Sequence, residues 1–235
     1  MSIFVNWIKA FGSRTSRVVR WPAKWILAGP QRNVYVTGDD VLLIDYTTQS
    51  KLRDEYLQRL RDLVLEQGLD GLTTDRISAY LKCSKATLYA IWRHKDHVLF
   101  DVVESLLCDI EEESRDRADR VADPAEKVSE YLRVRAAGLR VLDARCLRGG
   151  LANPGVRQAY EAAQEASSHW LAAYLRDGIE HGSFRSVDAT FVEGVTAFLS
   201  ERIRSGELPR RAGVSAAEAD SELNSLIVSA LTNRR

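Results

Sequence analysis

Between Ser84 and Lys95 the side chains have the types and spacing of a surface that hydrogen-bonds to DNA. Ser84 is suited to cap a helix, its hydroxyl accepting from the backbone amide of Ala86 or Thr87. Lys85, Ala86 and Thr87 follow directly. Leu88 and Trp92, spaced i and i+4, share one face and can bury against a preceding helix. That leaves Lys85, Thr87, Tyr89 and Ala90 turned outward, and small polar residues at an exposed helix start are what a major-groove reader presents.

The elements that must hold this surface are legible on both sides of it. Leu52, Tyr56, Leu60, Leu63 and Val64 recur at three- and four-residue spacing, which predicts an amphipathic helix from Lys51 to Gln67 with Gly68 as its stop. Thr73 is the N-cap of a second helix carrying Ile77, Tyr80 and Leu81, and Lys82-Cys83 make the turn before Ser84. After Arg93-His94-Lys95 a long helix opens, with Val98, Leu99, Val102, Val103, Leu106, Leu107 and Ile110 at helical spacing. The predicted order is helix, helix, tight turn, reader helix, long helix.

The block from Lys51 to Leu107 resembles the tetracycline-repressor (TetR) family of bacterial transcription regulators. The resemblance rests on Glu66-Gln67-Gly68, on Leu72-Thr73-Thr74, on Ser84-Lys85-Ala86-Thr87-Leu88-Tyr89, and on the spaced Tyr89, Trp92 and Lys95. It implies that Thr73 or Thr74 bonds a phosphate. Lys85, Ala86 and Thr87 would then meet base edges or nearby backbone, and Tyr89 and Lys95 would bond phosphates. A cation and helix-start amides at Lys95 can both face one phosphate. Two positions depart from the family pattern. Lys82 stands where glycine is usual, and Asp75 lies where a cation often faces the DNA and would repel phosphate.

Beyond the block, Asp123-Pro124 opens a helix containing Val128, Tyr131, Leu132 and Leu142. An Ala-rich helix spans Gly155 to about Glu180, and two further helices are capped by Asp188 and Ser215. The expected fold is all-α: a helix-turn-helix DNA-binding domain over residues 50–97 and a helical ligand-binding and dimerisation domain over 98–235. The resemblance implies a homodimer that binds a double-stranded DNA operator and responds to a small-molecule effector, most often as a repressor. Pocket candidates are Leu107, Tyr131, Trp170 and Tyr174, which core packing explains equally well. Dimer candidates are Phe191, Val195, Phe198 and Leu199 on one closing helix and Leu223, Leu226 and Ile227 on the other.

Residues 1–49 read as an N-terminal extension. Its first thirty residues carry five cations and no acid, interleaved with aromatics, so a membrane-surface or DNA-arm role competes with no folded role. Asn33–Tyr46 permits a hairpin around Gly38-Asp39-Asp40. The rival to a regulator is therefore a helical interaction module that uses the basic segment at a membrane surface.

Formal net charge is +0, which excludes a wholly basic nucleic-acid coating; the reader block is cationic in excess and the later chain acidic. Cys83, Cys108 and Cys146 are too few and too scattered for a disulfide framework or zinc ribbon. There is no Gly-rich phosphate loop, HExxH or nucleophile elbow, so no catalytic residue, metal or cofactor is expected. With no apolar run of the roughly 18 residues a membrane span needs, a cytoplasmic protein is expected.

Overall fold

The computed structural model describes residues 41–69, 71–142 and 148–232; for residues 41–50 and for Arg148 it describes the helix path alone. Helix α1 runs Val41–Gln67, ten residues further toward the N-terminus than its apolar periodicity indicates. Val41–Tyr46, the second arm of the expected hairpin, is therefore helical; the first arm and the basic aromatic segment lie outside the described residues. An isolated two-stranded hairpin is marginal in water, whereas extending an existing helix adds one hydrogen bond per residue fixed. At the other end Gly68, at φ 76°, donates its amide to Val64 O at 2.8 Å and stops the helix.

Helix α2 (Thr74–Leu81) begins at Thr73, whose hydroxyl accepts from the Arg76 amide at 3.2 Å. It closes on Lys82 at φ 57°, ψ 42°, the left-handed conformation. The Lys82 amide donates to Ala79 O and the Cys83 amide to Ser78 O, which satisfies the last carbonyls of the helix. Helix α3 spans Lys85–Ile91 and helix α4 Lys95–Ala118. Tyr56, Leu60, Ile77, Leu81, Leu88 and Trp92 bury together with the first turns of α4 in one core.

Helices α5 (Pro124–Leu142), α6 (Pro154–Glu180), α7 (Ala189–Arg204), α8 (Glu207–Ala212) and α9 (Ala216–Leu231) complete the described chain, with one helical turn at Arg148–Gly150. Asp188 and Ser215 cap their helices as the sequence indicates, each accepting from a first-turn amide, and Ser215 with Glu218 forms a reciprocal capping box; Asn153 caps α6 in the same way. A second core is built around Tyr131, Leu171, Leu175, Ile203, Leu223 and Leu231. Among the described residues there is no strand beyond one isolated bridge between Phe184 and Thr232. No described helix is long and apolar enough to cross a membrane.

Candidate nucleic-acid interface

The exposed surface of α2 and α3 starts from the Ser84 cap. Its oxygen accepts from the Thr87 amide at 3.0 Å and lies 2.9 Å from the Thr87 hydroxyl, so the first turn of α3 is fixed before anything binds. Lys85, Ala86 and Ala90 are exposed, and Tyr89 is 44% exposed despite its ring. Leu88 and Trp92, both almost wholly buried, hold the opposite face against α1 and α2. Thr74 joins this surface from α2, its hydroxyl 3.4 Å from the Tyr89 hydroxyl. Thr73 is exposed beside it, and Lys95 is half-buried as the first residue of α4. Hydroxyls and cations from three helices thus share a module whose donors suit phosphate oxygens and base edges.

One contact here was not foreseen. Asp75, in the first turn of α2, forms an ion pair with Lys85 in the first turn of α3. Asp75 raises the Lys85 ammonium above its ordinary pKa, first by hydrogen bonding and then by charge. The carboxylate therefore partly offsets the cation in the first turn of α3. It also sits favourably at the positive end of α2.

Behind this surface, Asp101 of α4 is 5% exposed and accepts from the Trp92 indole N–H at 2.5 Å and from Arg53 Nε at 3.0 Å. One buried carboxylate thereby ties α1, the end of α3 and α4. Arg59 of α1 donates to the carbonyls of Tyr80 and Leu81, at 2.6 and 3.2 Å, and so satisfies the C-terminal end of α2. The start of α4 is also gripped from the body. Asn153 Nδ2 donates to Asp96 Oδ1 at 2.6 Å, and Gly155 approaches so closely that a Cβ there would lie 2.1 Å from the Asp96 carbonyl oxygen.

A cavity of about 220 Å³ lies among α5, α6, α7 and α9. None of the four sequence-derived pocket candidates lines it. Leu107 is buried in the first core. Tyr131, wholly buried, donates to Glu111 Oε1 at 2.8 Å, with the Ser167 hydroxyl 2.9 Å away; burial pushes its phenol well up. Tyr174 donates to Asp119 at 3.1 Å, and Trp170 lies under the Arg115 guanidinium at 3.6 Å. Large aromatics at helical spacing went to the core, where their area is worth most. The cavity wall is mostly apolar, with Arg135, Gln164, Ser167, Thr196 and Arg204 set among leucine, isoleucine and alanine side chains. Arg135 carried a readable signal: it stands four residues after Tyr131, so a cation shares the core-facing side of its helix.

Of the dimer candidates, Phe191, Phe198 and Leu226 are 71%, 59% and 66% exposed, while Val195 and Leu199 are half-buried. Leu223 and Ile227 belong to the chain's own second core. Among the described residues no His, Cys, Asp and Glu group could hold a metal ion. Burial pushes the Cys108 thiol up to about 12, which leaves it a protonated packing residue at neutral pH.

No family model matches the chain. A segment of 40 residues is 48% identical to the uncharacterized HTH-type transcriptional regulator YdeS of Bacillus subtilis (strain 168); the match spans 17% of this chain and 20% of that relative. A TetR transcription regulator from Haloarcula marismortui superposes with a TM-score of 0.63 at 20% identity, covering 78% of this chain and 100% of that one. FadR of Thermus thermophilus, a TetR-family transcriptional repressor in complex with lauroyl-CoA, superposes with a TM-score of 0.56 at 22% identity, covering 78% and 96%.

Proposed function

We propose that this chain, which has the fold of the TetR-family regulators, is a DNA-binding transcriptional regulator that works as a homodimeric repressor and leaves its operator when a small molecule occupies the cavity. The observation that carries this reading is the joint surface of Thr74, Ser84, Thr87, Tyr89 and Lys95, pre-organised by its own caps and backed by the buried Trp92–Asp101 hydrogen bond. In the proposed complex α3 enters the major groove. Thr73, Thr74, Tyr89 and Lys95 hold phosphates, and Lys85, Ala86, Thr87 and Ala90 face the bases. A dimer would put two such helices into successive major grooves of a near-palindromic site.

The cavity reads as the effector site because its wall includes α6, whose first residues press on Asp96 at the start of α4. A molecule that shifts α6 changes the seat of Lys95 next door, and so disfavours the DNA-competent arrangement. That FadR of Thermus thermophilus is a repressor of the same fold, in complex with lauroyl-CoA, supports a ligand-responsive repressor over an activator.

The test is binding to DNA fragments from upstream of the protein's own coding sequence, followed by mobility shift across a salt series. Affinity should fall with salt. Tyr89→Phe and Lys95→Ala should weaken it further while the circular dichroism spectrum is kept, and Lys95→Ala should reduce the salt slope by about 1. Binding that is absent, or untouched by both substitutions, refutes the reading.

A further inference from the structure

The cavity wall holds three arginines, Arg135, Arg140 and Arg204, and two acids, Glu193 and Asp220. Arg140 and Asp220 pair with each other. Arg204 pairs with Glu201, one turn earlier on α7, and lies 4.9 Å from the Tyr160 ring. Arg135 is held differently. Its side chain is 11% exposed; it donates to Gln164 Oε1, and its Nε faces Glu111 Oε2 across 3.5 Å. Glu111 reaches it from α4 and is not part of the wall. Burial pushes the Glu111 carboxyl above its ordinary pKa, against the opposing pull of Arg135 and the Tyr131 hydroxyl. A largely buried cation thus meets its acid through a single 3.5 Å contact, at the outer limit of a hydrogen bond, and that acid is itself poorly solvated.

The rest of the wall sets shape. Leu132, Leu139, Leu171 and Ile203 supply apolar surface. A volume of about 220 Å³ is below the ~300 Å³ at which pockets for drug-sized ligands begin. Glu193 in the wall disfavours a second negative charge.

We propose that the cavity binds a small monocarboxylic acid with an apolar body, whose carboxylate takes Arg135 from Glu111. This deepens, and rests on, the reading of the cavity as the effector site. The guanidinium accepts a carboxylate in a two-bond geometry that the 3.5 Å contact with Glu111 lacks. Glu111, once displaced, keeps the Tyr131 hydroxyl as its hydrogen-bond donor. Because Glu111 belongs to α4, the exchange reports occupancy to the helix that begins at Lys95.

Benzoate, benzamide and benzylamine share a ring and differ in charge, and their binding to the full chain can be measured by calorimetry and thermal shift. Benzoate should bind and raise the melting temperature, with the amide and the amine weaker by at least about tenfold. Glu111→Gln, which removes the competitor, should tighten benzoate binding. The double variant Arg135→Gln with Glu111→Gln removes both buried charges, so it should keep the fold and lose the preference for benzoate over benzamide. Equal binding of benzoate and benzamide, preference for benzylamine, no benzoate binding, or unchanged or weaker benzoate binding in Glu111→Gln overturns the proposal. Upstream DNA binding measured on the same samples separates the two readings. A protein that binds DNA but no carboxylate overturns this inference alone, and one that binds no DNA overturns the regulator reading.

Discussion

Asp75 shows how a single residue acquires a meaning that its type does not carry. As a carboxylate on a helix proposed to face DNA it would repel phosphate, yet it pairs with Lys85. The pair leaves the reader helix with less free positive charge than its composition indicates, which lowers affinity for any phosphate backbone regardless of sequence. Asp75→Asn should therefore raise DNA affinity across unrelated sequences, read by fluorescence anisotropy in a salt series. Unchanged or weaker binding would mean that Asp75 itself contacts the DNA. Lys82 is the other departure: standing where glycine is usual in the family the chain resembles, it takes the left-handed conformation at φ 57°. A side chain in that conformation costs roughly 1 kcal/mol. Lys82→Gly should raise the unfolding free energy by about that amount in denaturant titration, less the entropy that glycine adds to the unfolded chain.

Among the elements, the joint between α6 and α4 is where the proposed regulator would couple its body to its DNA-binding helices. Pro154 starts α6 behind the Asn153 cap, and Gly155 then passes so near the Asp96 carbonyl that only a residue without a Cβ fits. Gly155→Ala should cost about 1–3 kcal/mol of stability through overpacking. It should also weaken DNA binding more than a body substitution of equal cost placed away from α4, because Lys95 is the neighbour of the displaced Asp96. Equal effects would show that the contact is packing alone. Periodicity located α2 to α7 and α9 because their apolar residues repeat every three or four positions and, α4 apart, their caps are polar residues of the preferred kinds. It failed at Val41–Tyr46, where a short apolar run fits a strand or a helix equally well and only continuity with α1 decided between them.

At the level of the whole molecule, α7 and α9 pack beside each other and leave Phe191, Phe198 and Leu226 exposed, apolar area that the chain itself does not cover. In the proposed homodimer these three are covered by the second copy. Phe198→Asp should shift the protein toward monomer in light scattering and weaken operator binding, while leaving the helical content unchanged. Leu223 and Ile227 should respond differently, since they bury within the chain and their truncation would unfold it before it separated two copies. Apolar periodicity marks which face of a helix is sticky but not which partner covers it, so the seven dimer candidates could not be divided from sequence. By itself the sequence determined the all-α fold, the caps and the outward face of α3, because these depend on residues within one or two turns of each other. Tertiary structure alone decided that Asp75 meets Lys85, that Glu111 faces Arg135, and that arginines and hydroxyls join the apolar residues of the cavity wall while Tyr131, Trp170 and Tyr174 pack into the core. Those pairings join residues brought together by helix packing, and local spacing holds no record of which distant side chain will be the neighbour.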